Sequence, residues 1–174
     1  ILDKELTFLN QIDDVINKCN NRLGFIIRQT KDFLSARPLK ILYVTYVRSL
    51  LDYCSTIWTP KYENSKVRLE KIQRKAVRYL AHKSGINFKY SDYKELLNYF
   101  GLPSIENRHT FTDICFGFKV LNNLVDSPHI LQDFSLHAPP YHARSNNLFY
   151  IPLHRTNYGM NTSRSRISRS INKI

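Results

Sequence analysis

Glycine is scarce in this chain, with five residues in 174, all dispersed. That excludes the glycine-rich loops that cradle phosphates in nucleotide-binding folds, and no Gly-x-Ser-x-Gly elbow is present. Cysteine is equally sparse. Cys19, Cys54 and Cys115 are far apart and odd in number, which fits neither a zinc spacing nor a disulfide framework. A reducing compartment is expected, hence an intracellular location, cytoplasmic and nuclear. No apolar run is long enough to span a bilayer and no signal peptide is visible, so no membrane partner is expected. The six histidines have no partner at i+3 or i+4. His137 and His142 are separated by Pro139 and Pro140. No metal and no cofactor is expected. Methionine occurs once, as Met160, and the first residue is Ile1; the chain is expected to be a piece of a longer translated protein or the product of an incomplete gene model.

Acidic residues are the other shortage. Lys and Arg number 26 against 14 Asp and Glu, a formal charge of +12, and a polyanion is the simplest partner for that balance. The excess is uneven. Residues 61–90 hold nine Lys or Arg against two acids, residues 151–174 hold five against none, and residues 91–150 are close to neutral. The apolar fraction of 43% is enough for a core, so the chain is not read as disordered.

Periodicity predicts an all-α fold, a helical bundle of about five helices. A short strand over residues 1–8 precedes a helical domain over 9–136, and an extended, partly irregular basic arm covers 137–174. The first helix follows a cap at Asn10 and carries Ile12, Val15, Ile16, Cys19, Leu23, Ile26, Ile27, Phe33 and Leu34. The second starts at Pro38, places Leu39, Leu42, Tyr43, Tyr46, Val47, Leu50, Cys54 and Ile57 on a wide core face, and stops at Pro60. Trp58, beside that stop, is expected to be buried. The third runs from about Ser65 to Lys83 with Asn64 as cap and Gly85 as terminator. The fourth opens on Asp92 and Glu95 and ends at Gly101-Leu102-Pro103. The fifth begins after Ser104, has Phe111, Ile114, Cys115, Phe118, Leu121 and Val125 as its core stripe, and closes at Ser127-Pro128.

The third helix carries the clearest functional signal. At about 100° per residue, Leu69, Ile72, Ala76, Tyr79 and Leu80 share one arc, and Arg68, Lys71, Arg74, Lys75 and Arg78 share another, roughly opposite. Only Glu63 and Glu70 are acidic nearby. A solvated face usually mixes signs; this one does not. A packed helix with a one-sign ridge can track phosphates without reading bases. A calmodulin-target or membrane-surface helix has a similar composition, but core packing accounts for the modest apolar arc. Arg164, Arg166 and Arg169 form a secondary basic site in the arm.

Catalysis finds little support. A polymerase needs paired carboxylates on a tight turn to hold metal ions. The one adjacent acidic pair, Asp13-Asp14, follows Gln11-Ile12 and sits at the start of a helical pattern, where acids suit the helix dipole.

Several stretches resemble one family in order and spacing over nearly the whole chain. Ile1-Leu2-Asp3-Lys4-Glu5-Leu6-Thr7-Phe8 resembles the segment that leaves the palm of LINE-type reverse transcriptases. Leu23-Gly24-Phe25-Ile26-Ile27-Arg28 is similar to an "LGFIxR" segment, and Val47-Arg48-Ser49-Leu50-Leu51-Asp52-Tyr53-Cys54-Ser55 with Trp58-Thr59-Pro60 to "VRSxLEYxSxxWxP". Leu69-Glu70-Lys71-Ile72-Gln73-Arg74-Lys75 resembles "LExIQRR". Leu102-Pro103-Ser104-Ile105 with Arg108, then Lys119-Val120-Leu121-Asn122-Asn123, is similar to the "LxxLxxRR…KxLxG" region. Thr156-Asn157-Tyr158 and Arg166 resemble the closing motif. The family is that of jockey-like non-LTR retrotransposon reverse transcriptases of animals, especially arthropods. Two departures stand out: His109 replaces a second Arg, and Lys75-Ala76 replaces an Arg-aromatic pair. The latter weakens a stacking role there; both leave phosphate contact intact.

The resemblance implies the thumb and the region beyond it, with the palm and the endonuclease domain upstream in the parent chain. It implies binding of the template–primer duplex behind an active site that this chain does not contain, so the isolated chain is expected to have no polymerase activity. A stand-alone nucleic-acid-binding or protein-interaction module, or a decayed element fragment, is the alternative.

Overall fold

The computed structural model describes residues 7–86, 93–137 and 147–173, and of residues 157 and 158 the backbone alone. The described residues are mostly helical and form no sheet; their one β-bridge joins Leu136 and Phe149. The chain divides into two compact units, Ile1–Arg108 and His109–Ile174.

In the first unit, α1 (Leu9–Gln29) runs unbroken through Gly24 and buries Ile12, Val15, Ile16, Cys19, Leu23 and Ile26. The expected strand falls on residues 1–6, outside the described residues. Thr7 and Phe8 are not in a strand, and Phe8 has a left-handed backbone (φ 58°) at the helix start. Asn10 is therefore inside the helix and is not its cap. The helix stops at Thr30, whose hydroxyl donates to the Ile26 carbonyl at 2.6 Å, so Phe33 and Leu34 lie beyond it and are exposed.

The expected second helix is segmented. α2 (Ala36–Leu42) is capped by Ser35, which accepts from the Arg37 N–H, and has Pro38 in its first turn. A π-helical stretch (Tyr43–Arg48) leads into α3 (Ser49–Asp52), and after a left-handed Cys54 comes α4 (Ser55–Trp58). The buried positions Leu39, Tyr43, Val47, Leu51 and Ser55 recur every fourth residue. An α-helix would carry such a row steadily around its axis; the wider i→i+5 turns hold it facing the core. The Tyr46 and Val47 carbonyls accept from Arg22 Nη1 (3.0 Å) and Cys19 Sγ (3.6 Å) of α1. Tyr46, Cys54 and Ile57, expected in the core, are exposed. Trp58 is buried as expected, and its Nε1 donates to the Tyr53 carbonyl at 2.7 Å.

α5 (Glu63–Lys83) starts two residues before the expected Ser65, so Asn64 lies inside it and accepts from the Ser65 N–H. It ends as expected at Gly85, whose φ of 67° only glycine adopts cheaply; the Ile86 N–H closes the turn on the Ala81 carbonyl at 3.0 Å. α6 (Tyr93–Phe100) ends at Gly101 (φ 59°) in the same way. The capping expectation on Asp92 lies outside the described residues.

α7 (Ile105–Leu121) carries the boundary between the units and stops at a left-handed Asn123, before Ser127-Pro128. Pro128 instead opens α8 (Pro128–Asp133). The expected stripe on this helix is corrected at its two phenylalanines. Phe111 and Phe118 are exposed, Ile114, Cys115 and Leu121 are half-buried, and the buried positions are Ile105, His109, Asp113, Gly117 and Val120. In the second unit, α9 (Asn157–Met160) and α10 (Ser163–Ile171) replace much of the expected extended arm. Thr162 caps α10, accepting from the Ser165 N–H, and Ile167 joins Val120, Phe134 and Phe149 in a small core. The backbone approaches closely here: a Cβ on Gly117 would come within 2.7 Å of Ile167 and Ile171 side-chain atoms.

Candidate nucleic-acid interface

α5 divides cleanly around its circumference. Ser65, Leu69, Ile72, Gln73, Ala76, Val77, Leu80 and Ala81 are buried. Arg68, Lys71, Lys75, Arg78 and His82 are exposed and recur at alternating steps of three and four, which makes a nearly straight row along the helix. No carboxylate of α5 lies in that row. Glu63 approaches Lys66 (3.7 Å), and Glu70 faces α6 and α7.

Of the expected ridge residues, Arg68 and Arg74 meet groups on neighbouring elements. The Arg68 guanidinium is 2.7 Å from Asp13 of α1. Arg74 is half-buried, with its guanidinium 4.7 Å from the centroid of the Tyr93 ring, a cation–π placement that turns it away from the ridge. Lys71, Lys75 and Arg78 form the exposed centre of the ridge. The secondary set is engaged inside the second unit. Arg164 donates to Ser135 Oγ (2.8 Å), Arg166 pairs with the buried Asp113 (2.5 Å), and Arg169 donates to the Ser165 and Met160 carbonyls.

The two carboxylates of the Asp13-Asp14 pair are each matched with a cation. Asp13 binds Arg68, Asp14 binds Lys18 at 2.6 Å, and both lie past the first turn of α1, which contradicts the capping expectation. Among the described residues no group of His, Cys, Asp or Glu is arranged to hold a metal ion, and no helix is long and apolar enough to cross a membrane.

A polar clasp that periodicity did not single out lies behind the ridge. Gln73 is fully buried; it accepts from the Tyr43 hydroxyl (3.0 Å) and donates to the Pro103 carbonyl (2.9 Å), which also accepts from Arg48 (3.2 Å). Glu70 accepts from the Ile105 N–H (2.9 Å) at the start of α7, where Ser104 Oγ accepts from Asn107, and it also bonds the Tyr93 hydroxyl. Arg108 pairs with Asp52 at 3.0 Å. Burial is the main reason the Tyr43 and Tyr93 phenols are pushed well above the ordinary range; both stay protonated and donate. Three of the sequence stretches singled out above, around Arg48, Glu70 and Pro103, thus meet in one network. The signal was present: Gln73 falls on the arc between Leu69 and Leu80, a polar residue where only a satisfied one is tolerated.

Comparison with family models, with curated proteins and with solved structures finds no match to this chain.

Proposed function

We propose that this chain is the thumb-like, non-catalytic part of a jockey-like non-LTR retrotransposon reverse transcriptase, and that it holds a template–primer duplex by its phosphates. The observation that carries this is the exposed row of Lys71, Lys75 and Arg78 on a helix whose own carboxylates face elsewhere. The sequence resemblance supports the parent. In this reading the mechanism is electrostatic positioning: each Lys or Arg that neutralises a phosphate releases counterions, and the palm of the parent chain supplies catalysis. The clasp fixes α5 against α7 and so makes the row rigid. Arg74 contributes through Tyr93 to that rigidity and not to phosphate contact.

Replacing Lys71 and Lys75 together with Gln tests the reading. Binding to a mixed-sequence duplex weakens, and the slope of log affinity against log salt flattens by roughly 1–2 units. Gln keeps length and helix propensity, so far-ultraviolet circular dichroism stays unchanged. The control is the same exchange at Lys119 and Lys173, which are exposed and off α5. Equal slopes for both pairs overturn the assignment. A protein-interaction module is the second reading, favoured by the exposed Phe111 and Phe118; duplex binding too weak to measure at low salt selects it.

A further inference from the structure

The cationic row on α5 has a neighbour. α1 packs beside α5, and three contacts fix the register. Asp13 meets Arg68, Thr30 Oγ1 lies 3.2 Å from the Tyr79 hydroxyl, and the Lys31 carbonyl accepts from Lys83. The pairs climb together along both helices, so α1 and α5 run parallel. On α1 a second row at steps of three and four starts from Asp13 and passes through Asn17, Asn20, Gly24 and Arg28. Asn17, Asn20 and Arg28 are exposed. Arg28 folds back over Gly24: its Nη1 is the nearest atom, at 3.4 Å, to where a Cβ on Gly24 would stand. Asp13 begins this row and touches α5, so the row borders the groove between the two helices on its solvent side.

We propose that this groove is a two-rail phosphate track, with Lys71, Lys75 and Arg78 as one rail and Asn17, Asn20 and Arg28 as the other, and that Asp13 closes one end of it. The inference rests on the reading of α5 as a phosphate-binding helix and adds the residues and the polarity of the site. Asn amides donate to phosphate oxygens without carrying charge, and Arg forks across them. The open part of the track, from Lys71 to His82, is about 17 Å long at 1.5 Å per residue. At 3.4 Å of duplex axis per nucleotide, that is the axial span of about five base steps. The closed end follows from charge. Asp13 already occupies the Arg68 guanidinium and repels a phosphate that would replace it. At the far end the helix dipoles turn negative, and Arg28, Lys31 and Lys83 supply the offsetting cations.

The test measures salt dependence on the full chain with a short mixed-sequence DNA duplex and an RNA–DNA hybrid of the same sequence. Arg28→Gln flattens the log–log slope by about 0.9. Asp13→Asn releases Arg68, tightens binding and steepens the slope by about 0.9. Asn20→Asp and Gln29→Glu add the same charge to α1, on the row and away from it, and only the first weakens binding by more than long-range repulsion does. If Arg28→Gln leaves the slope unchanged and Asn20→Asp matches Gln29→Glu, while the Lys71 and Lys75 exchange still flattens the slope, the second rail is wrong and the α5 reading stands. If none of these variants moves the slope, both fall.

Discussion

The two units solve the same problem with different means. In Ile1–Arg108 a long run of apolar positions from α1, α2, the π-helical stretch, α5 and α6 meets in one core around Leu23, Tyr43, Val47, Leu69 and Val77. In His109–Ile174 the buried apolar cluster among the described residues is four side chains, Val120, Phe134, Phe149 and Ile167. A unit of that size is marginal on hydrophobic burial alone. Polar contacts take over: the Asp113–Arg166 pair ties α10 to α7, and Asn172 exchanges two hydrogen bonds with the Phe149 backbone at 3.0 and 2.9 Å. The first unit is held by area and the second by geometry, so they should fail in different ways.

The largest effect is expected in the first unit. Trp58→Ala empties a buried site and breaks the bond to Tyr53, and should cost about 3–5 kcal/mol in urea unfolding followed by circular dichroism. A cost under 1 kcal/mol would mean that the α4 region is not part of the core. In the second unit Arg166→Leu strands a carboxylate that is 1% exposed, which should cost about 3 kcal/mol, the low end because Arg166 keeps some solvent contact. Hydrogen exchange should then accelerate in α10 and the second half of α7 and stay slow in α1 and α5. Adding Asp113→Leu should recover much of the loss, because the pair specifies geometry more than it stabilises. Uniform acceleration through both units would erase the distinction.

Gly117→Ala is smaller. The new methyl meets the ends of Ile167 and Ile171, which can shift, so about 1–3 kcal/mol is expected, again with exchange confined to the second unit. The smallest effect is chemical. Burial pushes the Cys19 thiol up to about 12, whereas Cys54 is exposed and Cys115 half-buried. Alkylation of the native protein at mildly alkaline pH should label Cys54 first and Cys115 next, and leave Cys19 unmodified until the first unit unfolds. The sign of the linkage follows: the folded state disfavours the thiolate, so this contribution is full below the unfolded thiol value of about 8.5. It is lost as pH rises from there toward about 12. Early labelling of Cys19 would place it outside a packed core.

The helices of the first unit were readable because their apolar residues fall on single faces. The α1 stripe, the Leu69–Leu80 arc of α5 and the glycine stops at Gly85 and Gly101 all follow from local chemistry. The core face of α7 is not legible from periodicity because its largest apolar side chains are not on the face that packs. Phe111 and Phe118 are the larger side chains, yet the face that packs is lined by Asp113 and Gly117, whose value depends on partners more than fifty positions away. The arm was misread because Ser163–Ile171 has weak helix formers and only two apolar residues, Ile167 and Ile171. It is helical because Ile167 finds Phe149 and Arg166 finds Asp113.

Residue order alone determined the helical class, the stops at glycine, the burial of Trp58 and the single-sign face of α5, since each is a matter of periodicity or backbone conformation within a few neighbours. Tertiary structure decided which cations are turned outward. Arg68 meets an aspartate on α1 and Arg74 an aromatic ring on α6, and pairing between distant segments is not written in local spacing.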